Sequence, residues 1–151
     1  MSPSKSHGNR LEFLTPDDWT LINAKAERLT FSLGQEIIRQ GSVGTAIFII
    51  RSGEATVQLG GTKDRVTLAV LQPDDICGEV AFLESGMSNA SVLASDEIVE
   101  VDAIQATDLR QLFETFSGLS SRFYRSLAVV LASRLRETLQ ELARELNKRD
   151  E

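Results

Sequence analysis

Apolar residues recur at every second position over Ala55, Val57 and Leu59 and again over Val66, Leu68 and Val70. A period of two places successive side chains on opposite faces of a strand, so each segment is expected to bury one face. Further short apolar or alternating runs predict strands over Arg28–Phe31, Glu36–Arg39, Ala46–Arg51, Ser91–Ala94 and Glu97–Ala103. Eight of the ten glycines fall between Gly34 and Gly86, as expected of a chain with many tight turns. Short strands with no long helix between them predict a mainly β domain, an antiparallel jelly roll with flanking helices, rather than a parallel α/β sheet.

The period turns helical on either side of this region. Thr15 is placed to cap a helix opened by Pro16, with Asp17 and Asp18 at its positive end, and Trp19, Ile22 and Ala26 form its apolar stripe. Trp19 reads as a core anchor. Thr107 is expected to cap a short helix through Phe116, with Leu109, Leu112, Phe113 and Phe116 on one face. Gly118 is expected to interrupt the chain before Ser120 or Ser121 opens a long helix to about Lys148. Within it, Leu135, Leu139, Leu142 and Leu146 step by four, three and four, a coiled-coil seam that Ala128 and Ala132 continue backwards. So short a seam does not hold alone in water and must lie against the barrel or a second copy of itself. The expected organisation is a flexible lead over 1–14, a jelly roll over 15–117 and a long C-terminal helix over 118–151.

Composition narrows the function. Of 151 residues, 42% are hydrophobic and 25% charged, which is ordinary for a folded domain, and no apolar run approaches the roughly 20 residues of a membrane span. The first ten residues, MSPSKSHGNR, lack the apolar core of a secretory signal, so a cytoplasmic protein is expected. A single cysteine, Cys77, and a single histidine, His7, leave too few ligands for a His- or Cys-based metal site and too few bases for a serine nucleophile. No enzymatic activity and no cofactor are expected. The net charge of −6 is uneven: no Lys, Arg or His occurs between Arg65 and Arg110, where nine Asp and Glu do. Such a surface repels phosphate backbones.

Gly78-Glu79-Val80-Ala81-Phe82-Leu83, followed after a turn at Gly86 by Ser88-Asn89-Ala90-Ser91-Val92, resembles the phosphate-binding cassette of the cyclic nucleotide-binding domain family, the regulatory module of catabolite activator-type proteins. Leu33 to Gly41 resembles that family's first hairpin, and Ala46 to Ala55 its third strand and turn. The matches together cover roughly residues 15 to 148. The resemblance implies a signalling module in which Gly78 permits close backbone approach, Glu79 accepts from a ribose 2′-hydroxyl, and the amides of Val80 and Ala81 face a cyclic phosphate. It further implies a switch in which ligand biases Thr107 to Phe116 and the long helix, with Leu112, Phe113 and Phe116 as the hinge.

The family's cassette ends in an arginine that pairs with the phosphate. Here Ser88 or, shifted by one, Asn89 takes that place, and neither supplies a cation. Losing a charged hydrogen bond costs about 1.5–3 kcal/mol, which speaks against ordinary cyclic AMP binding. Three readings stay open. Arg51, Arg122 or Arg125 reaches the pocket from elsewhere; or Ser88, Asn89 and Ser91 bind a nucleoside-like ligand beside Glu79 and Ala90; or the pocket has lost its ligand and the chain is an interaction scaffold docking a partner through its last helix. The expected partners are a cyclic nucleotide or nucleoside, a second copy joined through the C-terminal helix, and an effector protein of unspecified kind. Neither membrane nor DNA is expected, because no helix-turn-helix follows the long helix within this chain.

Overall fold

The computed structural model describes residues 10–61 and 63–150. The chain runs α1 (Pro16–Asn23), β1 (Glu27–Ser32), β2 (Glu36–Ile38), β3 (Ala46–Ser52), β4 (Ala55–Leu59), β5 (Val66–Leu71), β6 (Ile76–Cys77), α2 (Glu79–Glu84), β7 (Ser91–Ala94), β8 (Ile98–Gln105), α3 (Ala106–Thr115) and α4 (Ser117–Arg149). The strands form two four-stranded antiparallel sheets, ordered β1-β8-β3-β6 and β2-β7-β4-β5. The jelly-roll expectation is met.

Two apolar cores explain the two kinds of strand pattern. Ile50, Ala55, Leu71, Val99 and Val101 fill the space between the sheets. Ile47, Ile49 and Ile104, on the other face of the first sheet, pack under the helices with Ile22, Leu109, Leu119, Phe123 and Leu127. β3 therefore has both faces covered and reads as a continuous apolar run, whereas β4 belongs to a sheet covered on one side and alternates. In β5 the expected inward set is corrected: Val66 and Leu68 are 59% and 49% exposed, and the buried residue is Leu71, which pairs with the buried Ala55 of β4.

Ion pairs pin the helical layer. Thr15 and Asp18 form a reciprocal capping box on α1, and Arg122 of α4 donates two hydrogen bonds to the buried Asp18 carboxylate at 2.6 and 2.8 Å. The Arg122 guanidinium holds the Asp18 carboxyl down at about 2, against the partial opposition of burial. A carboxyl lowered on folding contributes stability above its unfolded value of 3.8 and loses it as pH falls through about 2. Arg122→Ala is thus expected to cost about 1–3 kcal/mol near neutrality. In denaturant titrations at stepped pH the gap to the parent chain should close between roughly pH 4 and 2; a gap independent of pH would contradict the pair.

Several expectations need correction. Residues 1–9, with His7, lie outside the described residues, but Leu11 and Leu14 at the end of the expected flexible lead are buried in the core, and the Phe13 amide donates to Ser126 Oγ at 3.0 Å. β6, two residues long, was not expected. Thr107 does not cap α3, which starts at Ala106 directly from β8 with the Ala106 amide donating to the Thr45 carbonyl at 2.9 Å. Gly118 does not interrupt the chain and neither Ser120 nor Ser121 opens the helix, because α4 already begins at Ser117. A Cβ on Gly118 would meet Arg122 Nη1 at 2.9 Å, so the missing side chain makes room for the guanidinium that reaches Asp18. In the expected hinge, Leu112 is buried and Phe113 packs on the core, but Phe116 is 42% exposed. No helix among the described residues is long and apolar enough to cross a membrane.

Candidate functional site

β6 ends at Cys77 on the open edge of the first sheet, and the chain must then turn sharply to enter α2. Gly78 makes this turn with φ +88°, and a Cβ there would meet the Ala46 carbonyl oxygen at 2.8 Å. Only glycine satisfies both demands without strain. As the residue preceding α2 it also offers no side-chain acceptor to the first amides of that helix. Gly44 seats the facing loop: a Cβ on it would fall 2.3 Å from the Ala81 Cβ. Ser88 is clamped to the same loop, donating its amide to the Ser42 carbonyl and accepting from the Gly41 amide, both at 2.8 Å.

Two adjoining cavities open beside this turn, of about 190 and 110 Å³. Ile38, Gly78, Ala81 and Ser88 line both; Glu79, Val80, Asn89 and Ala90 line the second. Seven of the eight residues expected from the sequence are thus brought together. Ser91 is the exception. It is buried in β7, and its Oγ accepts from the Gln40 amide at 2.9 Å, tying β7 to the end of β2 instead of facing the cavity.

Glu79 is 3% exposed, and a carboxylate so buried requires a partner. Arg134, from the middle of α4, supplies it: Nη1 donates to Glu79 Oε1 and Nη2 to the Ile76 carbonyl oxygen. Burial pushes the Arg134 guanidinium below its usual value, while Cys77, Asp75 and Glu137 work the other way. Arginine remains cationic throughout. The second cavity is therefore lined by one carboxylate and one guanidinium.

None of the three arginines expected as candidates is there. Arg51 donates to Asp102 at 2.7 Å and to Asn23 at 3.1 Å on the helix side of the first sheet. Burial alone would raise the Asp102 carboxyl, but Arg28 and Arg51 together hold it below its usual value. Arg122 is engaged by Asp18, and the Arg125 guanidinium lies 4.0 Å from the centre of the Phe13 ring. The sequence did carry a signal for Arg134. Leu119, Phe123, Leu127 and Val130, the buried stripe of α4, step by four, four and three, and the next step of four lands on residue 134.

Cys77 also lines the second cavity, but burial pushes its thiol up to about 12, leaving no thiolate for chemistry at neutral pH.

A family model for the cyclic nucleotide-binding domain matches residues 28–116. The chain is 30% identical over 147 residues to Cyclic GMP-binding protein C of Dictyostelium discoideum, covering 92% of this chain and 6% of that protein. It is 32% identical over 136 residues to the Cyclic AMP receptor protein of Thermus thermophilus, covering 85% of this chain and 58% of that one. The chain thus spans less than two thirds of either relative. Among solved structures, the Thermus thermophilus Catabolite Activator Protein superposes with a TM-score of 0.73 at 28% identity, over 88% of this chain and 61% of that one. A cyclic nucleotide-binding domain from Methylobacillus flagellatus shares the fold with a TM-score of 0.80 at 19% identity, over 87% of this chain and 74% of that one.

Proposed function

Because the chain belongs to the cyclic nucleotide-binding domain family, we propose that it is a non-catalytic sensing module that takes a cyclic nucleotide between the β6–α2 turn and α4. The observation that carries this reading is the carboxylate of Glu79, buried beside a cavity and held there by a cation from α4. A buried carboxylate matched to a sugar hydroxyl makes a charge-assisted hydrogen bond. Gly78 lets the ligand approach the backbone, the amides of Val80 and Ala81 turn to the cyclic phosphate, and Ser88, Asn89 and Ala90 close the far side. Relatives named for cyclic GMP and for cyclic AMP both match, so the base is left open.

The output of the module is a homodimer formed through α4. Leu135, Leu139, Leu142 and Leu146 are 52–61% exposed, and Ala128, Ala132 and Tyr124 extend the exposed stripe. Nothing of the barrel covers it among the described residues, which leaves a second copy of the same seam as the occupant that matches its three-four spacing.

One observation favours the rival reading of a ligand-free scaffold: Glu79 is already satisfied inside the chain. Melting curves with cyclic AMP, cyclic GMP, their nucleosides and cyclic dinucleotides separate the two. A ligand at 100 times its Kd stabilises by about 2.7 kcal/mol, or roughly 5–10 °C for a chain of this size. A shift of that order with a cyclic mononucleotide is expected, and it should vanish in Glu79→Gln. No shift with any compound would establish the scaffold instead.

A further inference from the structure

We propose that Arg134 is a displaceable occupant of the pocket: without ligand it ties α4 to Glu79 and to the end of β6, and an anionic ligand draws the guanidinium away from that carboxylate. The inference rests on the pocket reading above and adds its regulation. Three observations meet here. From Val66 to Leu109 the chain has no Lys, Arg or His, and among the described residues Arg134 is the one basic residue lining the second cavity. Its Nη1 sits on a Glu79 carboxylate oxygen, the acceptor a ribose hydroxyl must reach, so ligand and guanidinium compete for one group. Among the described residues no α4 position beyond Val130 is buried, and the half-buried Arg134 ties this part of the helix to the barrel immediately before Leu135 of the exposed seam.

The exchange discriminates by charge. A cyclic nucleotide brings both a hydroxyl for Glu79 and an anion for the displaced guanidinium. A nucleoside brings only the hydroxyl and leaves a half-buried cation without its carboxylate, which is costly. Withdrawal of the Arg134 side chain also enlarges a cavity that, at about 110 Å³, is smaller than the roughly 300–1,000 Å³ of ordinary ligand pockets.

Calorimetric titration of the full chain with cyclic AMP, cyclic GMP, adenosine and guanosine tests this. The parent chain is expected to prefer the cyclic nucleotide over its nucleoside, and Arg134→Gln should shrink that preference by roughly ten- to a hundredfold. Arg134→Lys, which keeps the charge without the fork, should retain part of it. Without ligand, Arg134→Gln should also speed amide exchange over residues 131–140 while leaving 119–130 unchanged. A preference unaltered in both variants overturns the inference and spares the pocket. A parent chain that gives no heat with any of the four compounds overturns both.

Discussion

Phe123→Ala is expected to lower the free energy of unfolding by about 3–5 kcal/mol, the top of the range for truncating a core side chain. The ring is 1% exposed and is the meeting point of three helices. Its centroid lies 5.9 Å from Phe82 on α2, edge to face, and 5.1 Å from Phe113 on α3, with Tyr124 of α4 at 6.0 Å. Truncation removes the transfer free energy of the ring and leaves a void in the core cluster that also holds Ile47, Ile104 and Leu119. Phe113 is only partly buried and Phe82 belongs to a six-residue helix, so neither can collapse far into the space without disturbing α3 or the cassette. The melting temperature should fall by roughly 6–20 °C. A calorimetric loss below about 1 kcal/mol would mean that α4 is not docked on the barrel as described. Because Phe82 lies only three residues beyond Glu79, the same variant should weaken any ligand of the pocket more than a distant destabilising substitution of equal size.

Leu135→Asp combined with Leu142→Asp should act on association with little effect on folding. Both side chains are more than half exposed in the single chain, so neither contributes much to its stability. In a two-stranded seam, four leucines per dimer would be replaced by four carboxylates. Losing that burial alone amounts to about 3–6 kcal/mol, or two to four decades in dissociation constant, before like-charge repulsion is counted. Sedimentation equilibrium is expected to give twice the 16.6 kDa chain mass for the parent and the single mass for the variant, with melting temperatures measured at monomeric concentrations unchanged. A parent chain that sediments as a monomer at all concentrations would rule out the seam as an interface. A variant that melts far lower as a monomer would show that these leucines pack within the chain.

Much of the fold was legible because the physics that sets it is local. The alternation of Ala55 and Val57 with Thr56 and Gln58 reports a half-covered sheet directly, and Thr15-Pro16-Asp17-Asp18 encodes its own cap. The alternation of Val66 and Leu68 pointed to the wrong face of β5, where Leu71 is the buried residue. β6 left no trace because two residues carry no period, and Ile76 and Cys77 are placed by pairing with Ile49 and Phe48 of a strand nearly thirty residues earlier. The starts of α3 and α4 differ from expectation for a related reason. Thr107, Ser120 and Ser121 are good caps by residue type, but the Ala106 amide finds a carbonyl on a distant loop and the Leu119 amide donates to the Phe116 carbonyl. At the site, the backbone half was readable, since Gly78 and Glu79 occur together beside an apolar turn. The cation was not. It lies 55 residues after its carboxylate, on a helix whose outward leucine seam is a stronger pattern than its inward stripe. Ser91 misled in the opposite direction: a polar residue next to the cassette satisfies the backbone of a neighbouring strand.

A single exchange at Glu79 underlies both ligand recognition and the release of α4, and a crystal structure of the chain grown in saturating cyclic AMP or cyclic GMP tests it most directly. The expected density places the ribose 2′-hydroxyl at hydrogen-bond distance from the Glu79 carboxylate and the Arg134 guanidinium against the cyclic phosphate. Density in which Glu79 and Arg134 remain paired, with the nucleotide absent from the cavity or seated elsewhere, would contradict it.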